Sequence, residues 1–200
     1  SYADLLYSII QSNDLEKYDS MTVDDFEQTS NVQSGVIGDG YDQVYTLGSK
    51  SYKEFKQSRG SYKSIKYWSG TISSSGCGPT AAAIVLSGYG KNVTPKDTAM
   101  YMSPHGNITS ASTLQEVIKN FGIQCHSKYG VTAEDLINNL RQGRPVIISV
   151  NSNRNGMFTN NGHIMALLDI NDKNEIYVSN PNPSKAGGWV KIDDIIACSS

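Results

Sequence analysis

The sequence predicts an α+β domain in which a helical half is followed by an antiparallel β-sheet half. Between residues 77 and 143 the apolar residues recur with helical spacing, and from Pro145 onwards they form short runs that are typical of strands. The chain has 200 residues, 38% of them hydrophobic, which is enough to bury one good core. Helices followed by strands predict two halves that pack face to face, with an active-site cleft between them.

Four helices are predicted, because each has a start signal and a glycine or polar stop. They are expected from Cys77 to Gly88, from Thr94-Pro95 to about Met102, from Thr113-x-x-Glu116 to Gly122, and from Thr132-x-x-Asp135 through Leu140 to Gly143.

Strands are predicted at residues 146–150, 163–170, 175–179 and 189–192, where β-branched and aromatic residues are frequent. The turn Asn171–Asn174 joins the second of these strands to the third.

The N-terminal residues 1–48 are predicted to be an arm, a linker or a pro-segment, and residues 49–200 to be the domain. The elements expected near this boundary are a helix with Leu5, Leu6, Ile9 and Ile10 on one face, a short helix from Thr22 to Gln28, a loop with four glycines over residues 29–48, and a short helix capped by Ser51-x-x-Glu54.

Composition excludes several classes of protein. The formal net charge is −2 with lysine and arginine spread along the chain, so nucleic acid is not expected as the main partner. No apolar run approaches the ~20 residues that span a bilayer, so no membrane span is predicted. The three cysteines are an odd number and widely spaced, which argues against a disulfide framework and a structural zinc site. No cofactor is implied.

Many Ser, Asn, Gly and Tyr residues with few charges suit a secreted or cell-surface protein. The chain begins at Ser1 without a secretory apolar segment, so it is expected to be a mature form or an excised piece of a larger protein.

The most informative residue is Cys77, within the segment Ser75–Thr80 (SGCGPT) at the start of an apolar helix. A helix N-terminus offers unpaired N–H groups and the positive end of the helix dipole, and both favour a thiolate. The flanking glycines leave the sulfur uncrowded. Cys77 is therefore expected to be a nucleophile; the alternative is a small buried residue in a turn.

A thiol nucleophile needs a proton acceptor, and histidine has the appropriate pKa. Of the three histidines, His105 is expected in an exposed turn and His126 near a strand edge. His163 differs, because it opens an apolar strand directly after the polar loop Asn160–Asn161. A polar residue at that position is expected to face a cleft.

The predicted hairpin supplies a third candidate, Asn180. Its register places Asn180 opposite Met165 and on the same face as His163, where a diagonal neighbour lies about 7–8 Å away. Asn180 is therefore expected to orient the imidazole. Asp169 shares that face but lies about 20 Å along the strand, which is too far.

Three motifs in this order resemble the C39-like cysteine peptidases, which are papain-fold proteins of bacteria. They are SGCGPT around Cys77, Gly-His163 on an apolar strand, and Asn180-Pro181 after the next strand. The segment Trp68–Ile72 ahead of the cysteine is also similar to the family. The likeness extends from about Tyr52 to Ile196.

The resemblance implies a papain-like peptidase with Cys77 as nucleophile, His163 as base and acid, and Asn180 as the residue that orients the imidazole. The sequence departs from the family in two respects. Many members carry aspartate in place of Asn180, and papain-like enzymes often carry a glutamine a few residues before the cysteine as an oxyanion donor. Here the nearest upstream glutamine is Gln57. The N–H of Cys77 supplies one donor, and the second stays unassigned.

The leading hypothesis is a cysteine peptidase that hydrolyses a peptide or isopeptide bond through a thioester at Cys77. Its substrate would be a peptide, a protein or a cell-wall peptide. One alternative is a peptidoglycan hydrolase domain, an endopeptidase or amidase, of a larger cell-wall protein. Another is a non-catalytic papain-fold binding module, which Asn180 and the missing nearby glutamine suggest.

Overall fold

A computed structural model describes residues 7–11, 34–37, 40–103 and 109–199. In chain order its elements are β1 (Tyr7–Gln11), β2 (Ser34–Ile37), β3 (Tyr41–Leu47), β4 (Lys50–Phe55), a 3-10 turn (Ser61–Ser64), β5 (Lys66–Tyr67), β6 (Gly70–Thr71), α1 (Ile72–Ser75), α2 (Cys77–Gly88), α3 (Pro95–Met102), α4 (Ala111–Asn120), β7 (Gln124–Lys128), α5 (Ala133–Leu140), β8 (Val146–Val150), α6 (Asn153–Gly156), β9 (His163–Ile170), β10 (Glu175–Ser179), β11 (Gly188–Lys191) and α7 (Ile192–Cys198).

The mixed α and β class with antiparallel sheets is confirmed. A six-stranded sheet has the order β11-β10-β9-β8-β1-β7, and the smaller sheets are β2-β3-β4 and β5-β6. All strand pairs in these described sheets are antiparallel. The chain order differs from the prediction, because strands come both before and after the helices. Strands β1 to β6 precede α2, and strands β7 to β11 follow it.

The four predicted helices are present. Thr94 and Thr132 cap α3 and α5 with capping boxes, as their sequences indicate. The cap of α4 is Ser110, whose hydroxyl accepts from the N–H of Thr113, so this helix is capped three residues earlier than expected. Gly90, just beyond α2, has a φ of +70°, the left-handed conformation that glycine adopts without strain.

The large sheet is apolar on both faces, and side chains alternate between two cores. Ile164, Ala166 and Leu168 of β9 pack into a core that contains the buried helix α2. Met165 and Leu167 of the same strand pack into a second core with residues of α5 and α7. Burial on both sides explains the unbroken apolar run of β9 and fixes the position of its first residue.

Two predictions for the N-terminal residues are wrong. The expected first helix is the strand β1, where Ile9 pairs with His126 of β7 and with Val146 of β8. Tyr7 and the two isoleucines have high strand propensity, and the ladders on both sides favour the extended backbone. Leu5 and Leu6 lie outside the described residues, as does the expected helix Thr22–Gln28.

The expected loop over residues 29–48 contains the strands β2 and β3. Gly40 and Gly48 lie directly before and after β3, with φ of +79° and +56°. These are turn positions of a β-hairpin rather than positions in a linker. The division of the chain at residue 48 stays a prediction, although the β3–β4 hairpin extends across it.

The short helix expected at Ser51 is also wrong, because this segment is the strand β4. Its buried residues Tyr52 and Phe55 are three apart, a spacing that suits a helix. A register shift in the β3–β4 ladder between Tyr41 and Val44 allows both to be buried from a strand.

No helix within the described ranges is both long enough and apolar enough to cross a membrane.

Candidate active site

Cys77 is the first residue of α2 and is half-buried. The short helix α1 leads into it, with Gly76 as the residue that ends one helix and begins the next. Gly78 is required by its surroundings, because a Cβ at this position would lie 2.0 Å from the Cγ2 of Thr109. The local sequence therefore directs the thiol to the beginning of the helix and keeps the neighbouring backbone in close contact with Thr109.

The electrostatics of Cys77 differ from the expected stable thiolate. Burial raises the pKa of the Cys77 thiol, and the backbone N–H groups of Ile164, Gly78 and Cys77 itself oppose this effect only in part. The helix N-terminus does provide the expected N–H groups. The effect of desolvation on the pKa is larger than theirs, so the resting protein favours the neutral thiol.

His163 is the first residue of β9, paired with Val150 of β8, and its side chain is 7% exposed. The next residue, Ile164, belongs to the core that Cys77 packs against, and its N–H lies close enough to the sulfur to lower the pKa of the thiol. The structure thus brings Cys77 and His163 to the same end of β9. Burial lowers the pKa of His163, and the hydrogen bond to Asn180 raises it by a smaller amount.

Asn180 follows directly after β10 and contacts His163 as expected: the distance from Nε2 of His163 to Oδ1 of Asn180 is 2.8 Å. A register shift between Tyr177 and Val178 brings β10 into the alignment that places Asn180 on the His163 face. Asn180 is 1% exposed, so this hydrogen bond is shielded from water.

The amide of Asn180 has all its bonding groups occupied. Its Nδ2 donates to the carbonyl oxygens of Phe158 at 3.2 Å and Ala186 at 2.9 Å, and its Oδ1 also accepts from the N–H of Asn182 at 2.9 Å. Since two carbonyls require the NH₂ group on their side, Oδ1 must face the imidazole. Nε2 of neutral His163 then carries the proton, and Nδ1 has the lone pair.

Of the other two histidines, the structure describes only His126, and it lies apart from this site. His105 lies outside the described residues. His126 is exposed on β7, at the opposite side of the large sheet from β10. Asp169 lies near the far end of β9, as expected from its distance along the strand.

Sequence reasoning did not assign a role to Gln57, and the structure places it beside the cysteine segment. Its Nε2 donates to the carbonyl of Ser73, four residues before Cys77, at 2.9 Å. Its own N–H donates to the carbonyl of Pro181, next to Asn180, at 3.0 Å. The Oε1 atom of Gln57 is buried without a hydrogen-bond partner. Its 20-residue separation from Cys77 hid this proximity.

Among the residues that the structure describes, no group of three or more His, Cys, Asp and Glu side chains could hold a metal ion. Cys77, Cys125 and Cys198 are all free of disulfides.

The structure thus has a cysteine at the N-terminus of α2, and a histidine that is hydrogen-bonded to an asparagine at the start of β9. The model of the Peptidase_C39 like family matches residues 49–198, and the chain belongs to this family. The C39-like resemblance of the sequence is thereby confirmed, and family membership supports a peptidase with a protein or peptide substrate. No curated protein matches the chain.

Proposed function

We propose that this protein is a papain-like cysteine peptidase in which Cys77, His163 and Asn180 carry the reaction in a cleft between the α2 helix and the β9–β10 strands. The main support is the 2.8 Å contact between His163 and Asn180, at the strand end that also contacts the Cys77 sulfur. Asn180 fixes the tautomer in which Nδ1 of His163 accepts a proton.

In this mechanism the thiol of Cys77 loses its proton to Nδ1 of His163 as the sulfur attacks the scissile carbonyl. The resulting imidazolium donates that proton to the leaving amine when the C–N bond breaks, which leaves a thioester on Cys77. Water then attacks the thioester, His163 accepts the water proton, and the carboxylic acid product leaves as the thiol is restored. The pKa directions of both groups favour a pair that is neutral before attack.

The tetrahedral intermediate needs two hydrogen-bond donors for its oxyanion. The N–H of Cys77 is the first. We assign the second to the side chain of Gln57, because its Nε2 uses one N–H for the Ser73 carbonyl and retains another. The family resemblance implies a glutamine in this role.

The proposed function is tested by incubating the protein with a mixed peptide library and, in parallel, with purified cell walls of bacteria. Mass spectrometry of the library reports cleaved bonds, and release of free amines reports cell-wall hydrolysis. Cleavage in either assay supports a peptidase, and the assay in which it occurs identifies the substrate class. Release from cell walls alone would support the peptidoglycan hydrolase. No product in both arms would favour a binding module.

Gln57→Ala is expected to lower kcat about 10²- to 10³-fold on a library peptide that the wild type cleaves, because one oxyanion donor is lost. KM is expected to change little, since the donor acts on the charge that develops during attack. The matched control is Gln115→Ala on α4, whose side chain also donates to a main-chain carbonyl, that of Cys125. An unchanged kcat in Gln57→Ala would remove Gln57 from the mechanism.

From the composition of the sequence, we also propose that the protein acts outside the cell or at the cell surface.

A further inference from the structure

The main-chain carbonyl of Asn180 has a charged partner. Nζ of Lys56 donates to this carbonyl oxygen at 3.0 Å, and the same ammonium pairs with Oε1 of Glu54 at 2.7 Å. The side chains of Lys56 and Glu54 are only 13% and 17% exposed. Glu54 is itself held, because its Oε2 accepts from Nε2 of Gln43 at 2.7 Å.

This contact is part of a wider attachment between the β3–β4 hairpin and the segment that carries Asn180. The N–H of Gln57 donates to the carbonyl of Pro181. On the other side, the Tyr45 hydroxyl donates to Oγ of Ser179 at 2.8 Å. Three consecutive residues, from Ser179 to Pro181, are therefore bonded to the β3–β4 hairpin or to the two residues that follow it, a segment that the sequence did not connect with the site.

We propose that Lys56, held in place by Glu54, is a positioning residue that fixes the backbone of Asn180 and so maintains the hydrogen bond from His163 to the Asn180 amide. This inference rests on the proposed function, in which that bond keeps Nδ1 free to accept the proton of Cys77. Lys56 itself contacts the main chain of Asn180 rather than the reacting groups.

The burial of the pair distinguishes it from an ordinary surface ion pair. An exposed lysine–carboxylate pair contributes little, because water competes for both charges. Here an ammonium with limited access to water makes a charge-assisted bond to the carbonyl, and such bonds are stronger than neutral ones. A displacement of about 1 Å in a catalytic group is enough to lower a rate by about 10²-fold.

A direct charge effect on His163 is the competing explanation, and it predicts the opposite sign. Removing a nearby positive charge would raise the pKa of His163. Loosening the Asn180 bond would lower it, because that bond favours the protonated ring. Three other ionisable groups belong to the segments packed around this pair. Cys77 begins α2, Glu54 pairs with Lys56, and Lys185 bonds to the carbonyl of Gly156 and to Oδ1 of Asn160 in the loop before β9.

The test measures the imidazole nitrogens of His163 by NMR as a function of pH in the full chain, with the His163→Gln spectrum to assign the signal. Lys56→Met is expected to lower the pKa of His163 and to speed exchange of its Nε2 proton with water. The double variant Glu54→Gln/Lys56→Met removes both charges together and leaves no unpaired carboxylate. It is expected to lower the pKa as well, although the net charge is unchanged.

Two further variants complete the design. Lys56→Arg retains a charged donor and is expected to restore most of the wild-type behaviour. Lys53→Met is the matched control, because Lys53 lies on β4, three residues before Lys56, but bonds to Asn92 and lies over the ring of Tyr41. It is expected to leave His163 unchanged.

A pKa of His163 that rises in Lys56→Met and stays constant in the double variant would overturn the inference in favour of a charge effect. Unchanged titration and exchange in both variants would overturn it as well. These readings do not depend on cleavage, so they remain separate from the peptide-library test. An inactive wild type with the expected NMR shifts would contradict the proposed function and leave the positioning role of Lys56 intact.

Discussion

Cys77→Ala is expected to abolish cleavage of every library peptide that the wild type cleaves. The nucleophile is lost, and no other described thiol replaces it, since Cys125 and Cys198 are fully buried. Removal of the nucleophile from a set of residues that act together in catalysis lowers kcat on the order of 10⁵- to 10⁶-fold. A rate that low is not detected in a mass-spectrometric assay. The fold is expected to be retained, because alanine suits the first turn of α2.

The matched control is Cys198→Ala, the same chemical change at a buried cysteine of α7, whose thiol donates to the carbonyl of Asn153. It is expected to retain cleavage, with a loss of stability only. Full cleavage by a folded Cys77→Ala variant would contradict the mechanism. Equal loss in both variants would attribute the effect to stability.

Asn180→Asp is expected to destabilise the protein and to reduce cleavage. The Nδ2 group of Asn180 donates to two carbonyl oxygens, those of Phe158 and Ala186. A carboxylate would replace both donors with an oxygen that faces those carbonyls, at a position that is 1% exposed. Loss of two buried bonds and an unpaired charge costs about 2–4 kcal/mol in the free energy of unfolding.

An aspartate would also attract the imidazolium more strongly than the neutral amide does. That gain requires the carboxylate to remain in its present place, which the two carbonyls oppose. Urea unfolding measures the balance, with Asn182→Asp as the matched control. The Oδ1 of Asn182 accepts from the N–H of Ser184, and an aspartate oxygen can continue to accept there. The control is expected to change stability by less than about 0.5 kcal/mol. Equal effects at both positions would contradict the role of the carbonyls.

The elements that carry the candidate site could be predicted because their signals are local. The SGCGPT segment has a small-residue turn followed by an apolar run, and α2 begins at Cys77. The turn Asn171–Asn174 and the alternation of β9 and β10 predicted Asn180 on the face of His163, and the structure reaches that alignment through a register shift between Tyr177 and Val178 that the sequence did not predict. The first inference depends on neighbouring residues, and the second on two strands joined by a short turn, where His163 and Asn180 are 17 positions apart.

The hairpin β3–β4 could not be predicted, because its burial depends on partners far along the chain. The Ser51-x-x-Glu54 pattern indicated a helix, and only the shifted register of the ladder lets a strand bury both Tyr52 and Phe55. The contacts of Gln57 and Lys56 with the site could not be predicted for the same reason. Their contacts are with the Ser73 and Asn180 carbonyls, and main-chain acceptors have no signature in a sequence.

The protonation of the pair was also beyond local reasoning. A helix N-terminus favours a thiolate at Cys77, and that tendency is present in the N–H groups around the sulfur. The desolvation that outweighs it comes from the packing of α2 against β9, a tertiary contact. His163 is also buried by tertiary packing, but there burial lowers the pKa, because the charged form of histidine is the protonated one.

The central claim is that Cys77, His163 and Asn180 form one reacting unit, and nitrogen NMR of His163 before and after alkylation of Cys77 with iodoacetamide tests it most directly. At neutral pH we expect a proton on Nε2 of His163 and none on Nδ1. Once the thiol of Cys77 is blocked, we expect both the Nδ1 signal and the pKa of His163 to change. A proton on Nδ1, or a titration of His163 that alkylation leaves unaltered, would contradict the claim.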